Sequence, residues 1–128
     1  MSQSYEDKLL AQAREILILG KGLNDYKLDG SGQTALEALD YRTTTYARMM
    51  ELTGQIEMQY VKKKEQLIDS FPNLPEWKVI AKLENSEEGK LYAAARRLMK
   101  TIEVTSNNIK TKLIELASDR KHHGGTPR

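Results

Sequence analysis

The residues in this chain whose types and spacing suggest chemistry are cations. Lys62, Lys63 and Lys64 form a triplet. Further on, Arg96, Arg97 and Lys100 cluster, with Arg96 and Lys100 one helical turn apart and Lys90 seven residues before Arg97. If both segments are helical and pair antiparallel, triplet and cluster fall at similar heights and make a patch of about six charges, suited to holding phosphates. Tyr60 and Tyr92 lie beside these cations in sequence and offer rings for base stacking, although both also fit an apolar seam. The competing reading of the same cations is a solvated helix face.

Other chemistries are excluded by what the chain lacks. It has no Cys, so there is neither a disulfide framework nor a thiolate nucleophile or metal ligand. Both histidines, His122 and His123, sit in a Gly-rich C-terminal tail with no carboxylate or Cys placed to complete a metal site or a catalytic triad. No phosphate-binding Gly loop, nucleophile elbow or Glu-x-x-His pair is present. The segment around Asp25, Asp29 and Gly30 resembles a calcium loop only superficially. With Gly30 at loop position 6, Lys27 occupies a ligand position, Leu36 stands where a bidentate carboxylate is needed, and Glu37 is one residue out of register. The expectation is a non-enzymatic protein with no catalytic residue, no metal and no cofactor.

The elements that must position the cations are helices. Ser4 is an N-cap with Asp7 three residues on, and Leu9, Leu10, Ala13, Ile16 and Leu17 make one apolar face, so a first helix covers about 5–19. Gly20 and Gly22 read as its stop, and residues 20–33, GKGLNDYKLDGSGQ, as a loop with a hairpin pivot at Asp29-Gly30. A second helix runs over about 34–71, carrying an apolar stripe from Leu36 to Ile68. Its β-branched run Thr43-Thr44-Thr45 has low helix propensity and must be held by packing. At 1.5 Å per residue this helix is about 55 Å long, too long for a sphere of 128 residues, so the protein is elongated or oligomeric. Phe71-Pro72-Asn73-Leu74-Pro75 ends it. A short helix over 76–84 follows, with Trp77, Ile80, Ala81 and Leu83 available for burial. Asn85 and Ser86 then cap a last helix over about 87–120. Leu91, Ala95, Leu98, Ile102, Thr105, Ile109, Leu113 and Leu116 step by 4, 3, 4, 3, 4, 4 and 3, nearly a heptad seam broken at Thr105.

The fold expected is all-α: an elongated antiparallel helical hairpin with an N-terminal helix and a short corner helix. It makes a single domain over 1–121, with residues 122–128 a disordered tail. Composition agrees, with 39% hydrophobic and 30% charged residues, the balance of helices that each face water along much of their length. A net charge of +2 is too small to define a nucleic-acid binder by itself. The longest apolar run, Ile16–Leu19, is too short to span a bilayer, and the polar start at Met1–Asp7 has no secretory character. These readings lead to the expectation of a cytoplasmic protein without membrane partners. The apolar Tyr and Met surface of the second helix exceeds what one hairpin partner covers, which leads to the expectation of a homo-oligomer.

The stretch from about Leu39 to Lys121 resembles small tailed-phage helical proteins related to the UvsY-type recombination mediators. The resemblance is carried by the helix ending Gln59-Tyr60-Val61-Lys62-Lys63-Lys64-Glu65, the Pro-containing corner, and the helix opening Gly89-Lys90-Leu91-Tyr92-Ala93-Ala94-Ala95-Arg96-Arg97-Leu98 and continuing to Leu116. It implies a helical, oligomeric protein that binds single-stranded DNA and helps a recombinase displace single-strand-binding protein, in the bacterial cytoplasm if phage-encoded. On matching positions, Lys62, Lys63, Lys64, Arg96, Arg97 and Lys100 would contact phosphates. The resemblance does not extend to residues 1–33. The alternative is a small helical protein–protein interaction module, such as a phage inhibitor of host defence or a virion assembly factor.

Overall fold

A computed structural model of the chain describes residues 4–26 and 32–124. Its elements are four helices, α1 (Tyr5–Asp25), α2 (Gly32–Ser70), α3 (Glu76–Glu84) and α4 (Glu87–Gly124), and there is no strand among the described residues. The all-α hairpin expected from the sequence is the architecture observed.

Ser4 caps α1 from extended backbone, its Oγ accepting the Asp7 N–H at 3.1 Å and so satisfying one of the otherwise open amides of the first turn. The far end of α1 differs from expectation. The helix does not stop at Gly20 or Gly22 but continues to Asp25. Packing requires glycine at 22 but leaves ordinary room for a side chain at 20. A Cβ on Gly22 would fall 1.8 Å from the Tyr41 hydroxyl, and one on Gly20 would touch Leu98 at 3.7 Å. Of the loop expected over 20–33, residues 20–25 belong to α1 and residues 32–33 to α2. Its hairpin pivot, Asp29-Gly30, lies outside the described residues.

α2 and α4 form the long antiparallel pair. The Tyr60 and Tyr92 rings meet with centroids 4.7 Å apart near one end. Further along, the Tyr46 hydroxyl donates to Glu103 at 2.7 Å and Arg42 Nε to Thr105 Oγ1 at 2.9 Å. α1 lies against both, antiparallel to α2 and parallel to α4. The Tyr5 hydroxyl donates to Glu88 (2.8 Å), Gln12 pairs with Gln59, and the Tyr41 hydroxyl donates to the Leu19 carbonyl (2.9 Å). Ile16 and Leu23 of α1, Met49, Leu52 and Ile56 of α2, and Leu91, Ala95, Leu98 and Ile102 of α4 make the main core. Ala35, Ala38 and Ile109 make a second, smaller cluster towards the other end. Each fully buried Leu, Ile or Met contributes about 1.5–3 kcal/mol. Of the β-branched run only Thr45 is buried; Thr43 and Thr44 are exposed, Thr43 Oγ1 donating back to the Leu39 carbonyl, so packing holds the last residue of the run alone.

The corner is built by local cap chemistry. Pro75 precedes α3, and Ser86 Oγ accepts the Gly89 N–H at 3.1 Å as the N-cap of α4 while donating to the Leu83 carbonyl. A Cβ on Gly89 would stand 2.1 Å from that same carbonyl oxygen, so the turn between α3 and α4 closes only on glycine. α3 buries Val79 and Leu83. Trp77, expected inside, is 68% exposed, with Lys78 Nζ 5.4 Å from its ring. At the C-terminus, α4 carries on through His122, His123 and Gly124, so the first part of the expected disordered tail is helical; residues 125–128 lie outside those described.

Candidate nucleic-acid interface

The helix geometry that presents the cations also separates them. Successive helical residues point about 100° apart, so a triplet cannot occupy one face. Lys62 is exposed on the outer side of α2, in a shallow depression with Gly54, Glu57, Met58, Val61 and Glu65, while Lys63 and Lys64 are half-buried. The contact of Tyr60 with Tyr92 puts the triplet level with Gly89 and Lys90, at the start of α4. Arg96 and Lys100 stand about 10–15 Å further along the bundle at 1.5 Å per residue. The single six-charge patch expected from the sequence is thus two groups.

The structure does bring together Arg96, Arg97 and Lys100. They are exposed and share one groove on the outer face of α4 with Ala93, Met99 and Glu103. The groove is continued by a second depression beyond Glu103, reaching Ser106, Asn107 and Lys110. The ion pairs among the described residues join Arg48 to Glu15 and to Glu51, so none of Lys62, Lys63, Lys64, Arg96, Arg97 and Lys100 has a carboxylate partner. Glu103 puts one negative charge into the groove. The Tyr46 hydroxyl donates to it, and that bond, with burial, raises the Tyr46 phenol above its ordinary range.

Tyr60 and Tyr92 are packing residues. Both are half-buried, their rings tilted at 39° to each other, and the Arg96 guanidinium lies 5.5 Å from the Tyr92 ring centre. A base stacking on Tyr92 would have to compete with Tyr60 and Arg96 for the ring.

Arg42 was not singled out by sequence reasoning. It is buried between α2 and α4, donating from Nε to Thr105 and from Nη1 to the Ala38 carbonyl (3.1 Å), and loss of hydration lowers its pKa. The signal was the break in the α4 seam: Thr105, a polar residue at a core position, is the acceptor Arg42 uses. No group of three or more His, Cys, Asp or Glu among the described residues is placed to hold a metal ion. Asp25 closes α1, whereas Asp29 and Gly30 of the calcium-loop reading lie outside the described residues.

The described residues define an all-α protein with a long α2–α4 hairpin, an N-terminal helix laid against it, and a cationic groove on the outer face of α4. None of these helices is long and apolar enough to cross a membrane. Comparison with known proteins gives no match to a family model, a curated protein or a solved structure.

Proposed function

We propose that this protein is a non-enzymatic accessory of phage-type DNA recombination that binds single-stranded DNA through its phosphates. The observation supporting this reading is that Arg96, Arg97 and Lys100 share one exposed groove with no carboxylate bound to any of them. Unpaired cations on a rigid helix can exchange counterions for phosphates without first breaking an internal ion pair. Lys62 adds a separate charge on α2, and Lys63 and Lys64, half-buried, contribute less. A recombinase and a single-strand-binding protein are the protein partners this role requires. In this reading recognition is of the phosphate backbone and is tolerant of base sequence.

The test is fluorescence anisotropy of a labelled oligonucleotide at two salt concentrations, for wild type, R97A/K100A and K63A/K64A. Three phosphate contacts give a salt slope of about 2 at 0.7 counterions per phosphate. R97A/K100A should weaken binding and flatten that slope, and K63A/K64A should change both less. No binding at low salt, or binding indifferent to R97A/K100A, overturns the reading. The protein–protein interaction module would then be favoured, on the strength of the apolar surface that α1 leaves uncovered.

A further inference from the structure

The flank of α1 that adjoins α4 exposes apolar side chains. Leu10 is 49% and Leu17 62% exposed. Beside them a groove of about 530 Å³ runs between α1 and α4, floored by Leu9, Ala13, Ile16, Leu91 and Ala94. Glu6, Leu10, Ala13, Leu17 and Lys21 follow one another at steps of 4, 3, 4 and 4, so they lie on one stripe along the helix. The stripe is self-complementary. Reversing the helix about a point between Ala13 and Arg14 carries Glu6 onto Lys21 and Leu10 onto Leu17. Ala13 and Arg14 are then the residues nearest the axis, Ala13 on the stripe and Arg14 at its solvent edge. Neither Glu6 nor Lys21 has an ion-pair partner among the described residues of the protomer.

We propose that α1 is a dimerisation helix, two copies packing α1 against α1 antiparallel about a two-fold axis between Ala13 and Arg14. A second copy is the occupant this face fits, because an isologous contact demands that the same patch complement itself in both size and charge. A different protein would need no relation between positions 6 and 21. In the dimer Leu10 meets the partner's Leu17, and each Glu6 meets the partner's Lys21. Glu87, on the α4 rim of the same groove, supplies a second carboxylate for that lysine, and Lys90 stands one turn beyond it. The cations Arg96, Arg97 and Lys100 line a different groove, so the dimer leaves them free and carries two such sites. The oligomer expected from the α2 surface is thereby assigned to α1, independently of whether the α4 groove binds DNA.

Light scattering on the full chain at micromolar concentration tests this, with wild type, E6K, K21E, E6K/K21E and L17D. Wild type should return twice the monomer mass. E6K or K21E alone places like charges across the axis and should weaken dimerisation about tenfold or more. E6K/K21E reverses both members of each pair and should recover association above either single variant, short of wild type because Glu87 then faces a carboxylate. L17D should give a monomer with unchanged helical circular dichroism, since Leu17 is exposed in the protomer. Thermal midpoints of E6K and K21E, followed at monomeric dilution, separate lost association from lost folding. A wild-type monomer, a dimer indifferent to L17D, or a double reversal that fails to recover association overturns the proposal.

Discussion

The Tyr41 hydroxyl occupies the space where a side chain on Gly22 would begin. From there it donates to the Leu19 carbonyl one turn back in α1. α2 is thus keyed into a notch in α1, and the Tyr26 ring stacks on Tyr41 at 4.8 Å to close the notch from the side.

Gly22→Ala should therefore destabilise the protein by about 1–3 kcal/mol, the range for overpacking a filled site. The measurement is a drop in the urea midpoint with an unchanged m-value. Gly54 provides the contrast, since nothing lies within 4 Å of a Cβ built there. Gly54→Ala should raise stability by about 0.5–1 kcal/mol through helix propensity. If the two substitutions behave alike, the notch is not what Gly22 provides.

Gln12 and Gln59 are both buried and exchange amide hydrogen bonds reciprocally, each Nε2 to the other's Oε1 at 2.8 Å. Replacing one leaves the other's amide unpaired away from water. Q12L or Q59L alone should thus cost about 1–3 kcal/mol. Q12L/Q59L removes both polar groups and should recover most of the loss. Urea denaturation of all four proteins gives the coupling energy, and strictly additive losses would show that the two amides act separately.

Glu15 receives hydrogen bonds from Arg48, one from Nη2 at 2.7 Å and one from Nε, and these hold its carboxyl below the ordinary value of 4.5 against a smaller opposing effect of burial. A folded-state value that is depressed contributes stability at pH above the unfolded-state value and loses it as pH falls through the folded one. Wild type should accordingly lose stability as pH drops from about 5 to 2, and Arg48→Gln should lose less over the same interval. Because the pair is partly solvated, added salt should narrow the difference. Parallel pH profiles for the two proteins would show that the contact has no linkage to folding.

What the sequence discloses about this fold is the part governed by near neighbours. Ser4 and Ser86 cap their helices, and Leu91, Ala95, Leu98, Ile102 and Ile109 are buried at the periodic positions, because caps and seams depend on residues within a turn or two. Gly22 reads as a stop until Tyr41 is seen beside it. Likewise Trp77 reads as core because it is large and apolar, although the short α3 turns Val79 and Leu83 inward instead. The basic cluster on α4 was legible from its spacing. The division of the lysine triplet was also implied, since consecutive residues on a helix diverge. What no local pattern supplies is the offset between α2 and α4, set by pairs such as Tyr60 with Tyr92, and that offset decides which cations are neighbours.

The polar contacts of α1 bear on how it can move. Leucine and isoleucine surfaces tolerate sliding, because one apolar contact replaces another at little cost. Tyr5 with Glu88, Gln12 with Gln59, Glu15 with Arg48, and the Leu19 carbonyl with Tyr41 are spread over most of the helix and belong to different partners. A shift of α1 by one turn, about 5.4 Å, breaks the three side-chain pairs at once with no equivalent side chain in their place, and carries Gly22 away from the Tyr41 hydroxyl. The helix is therefore held as a ratchet tooth, docked or released but not gradually displaced.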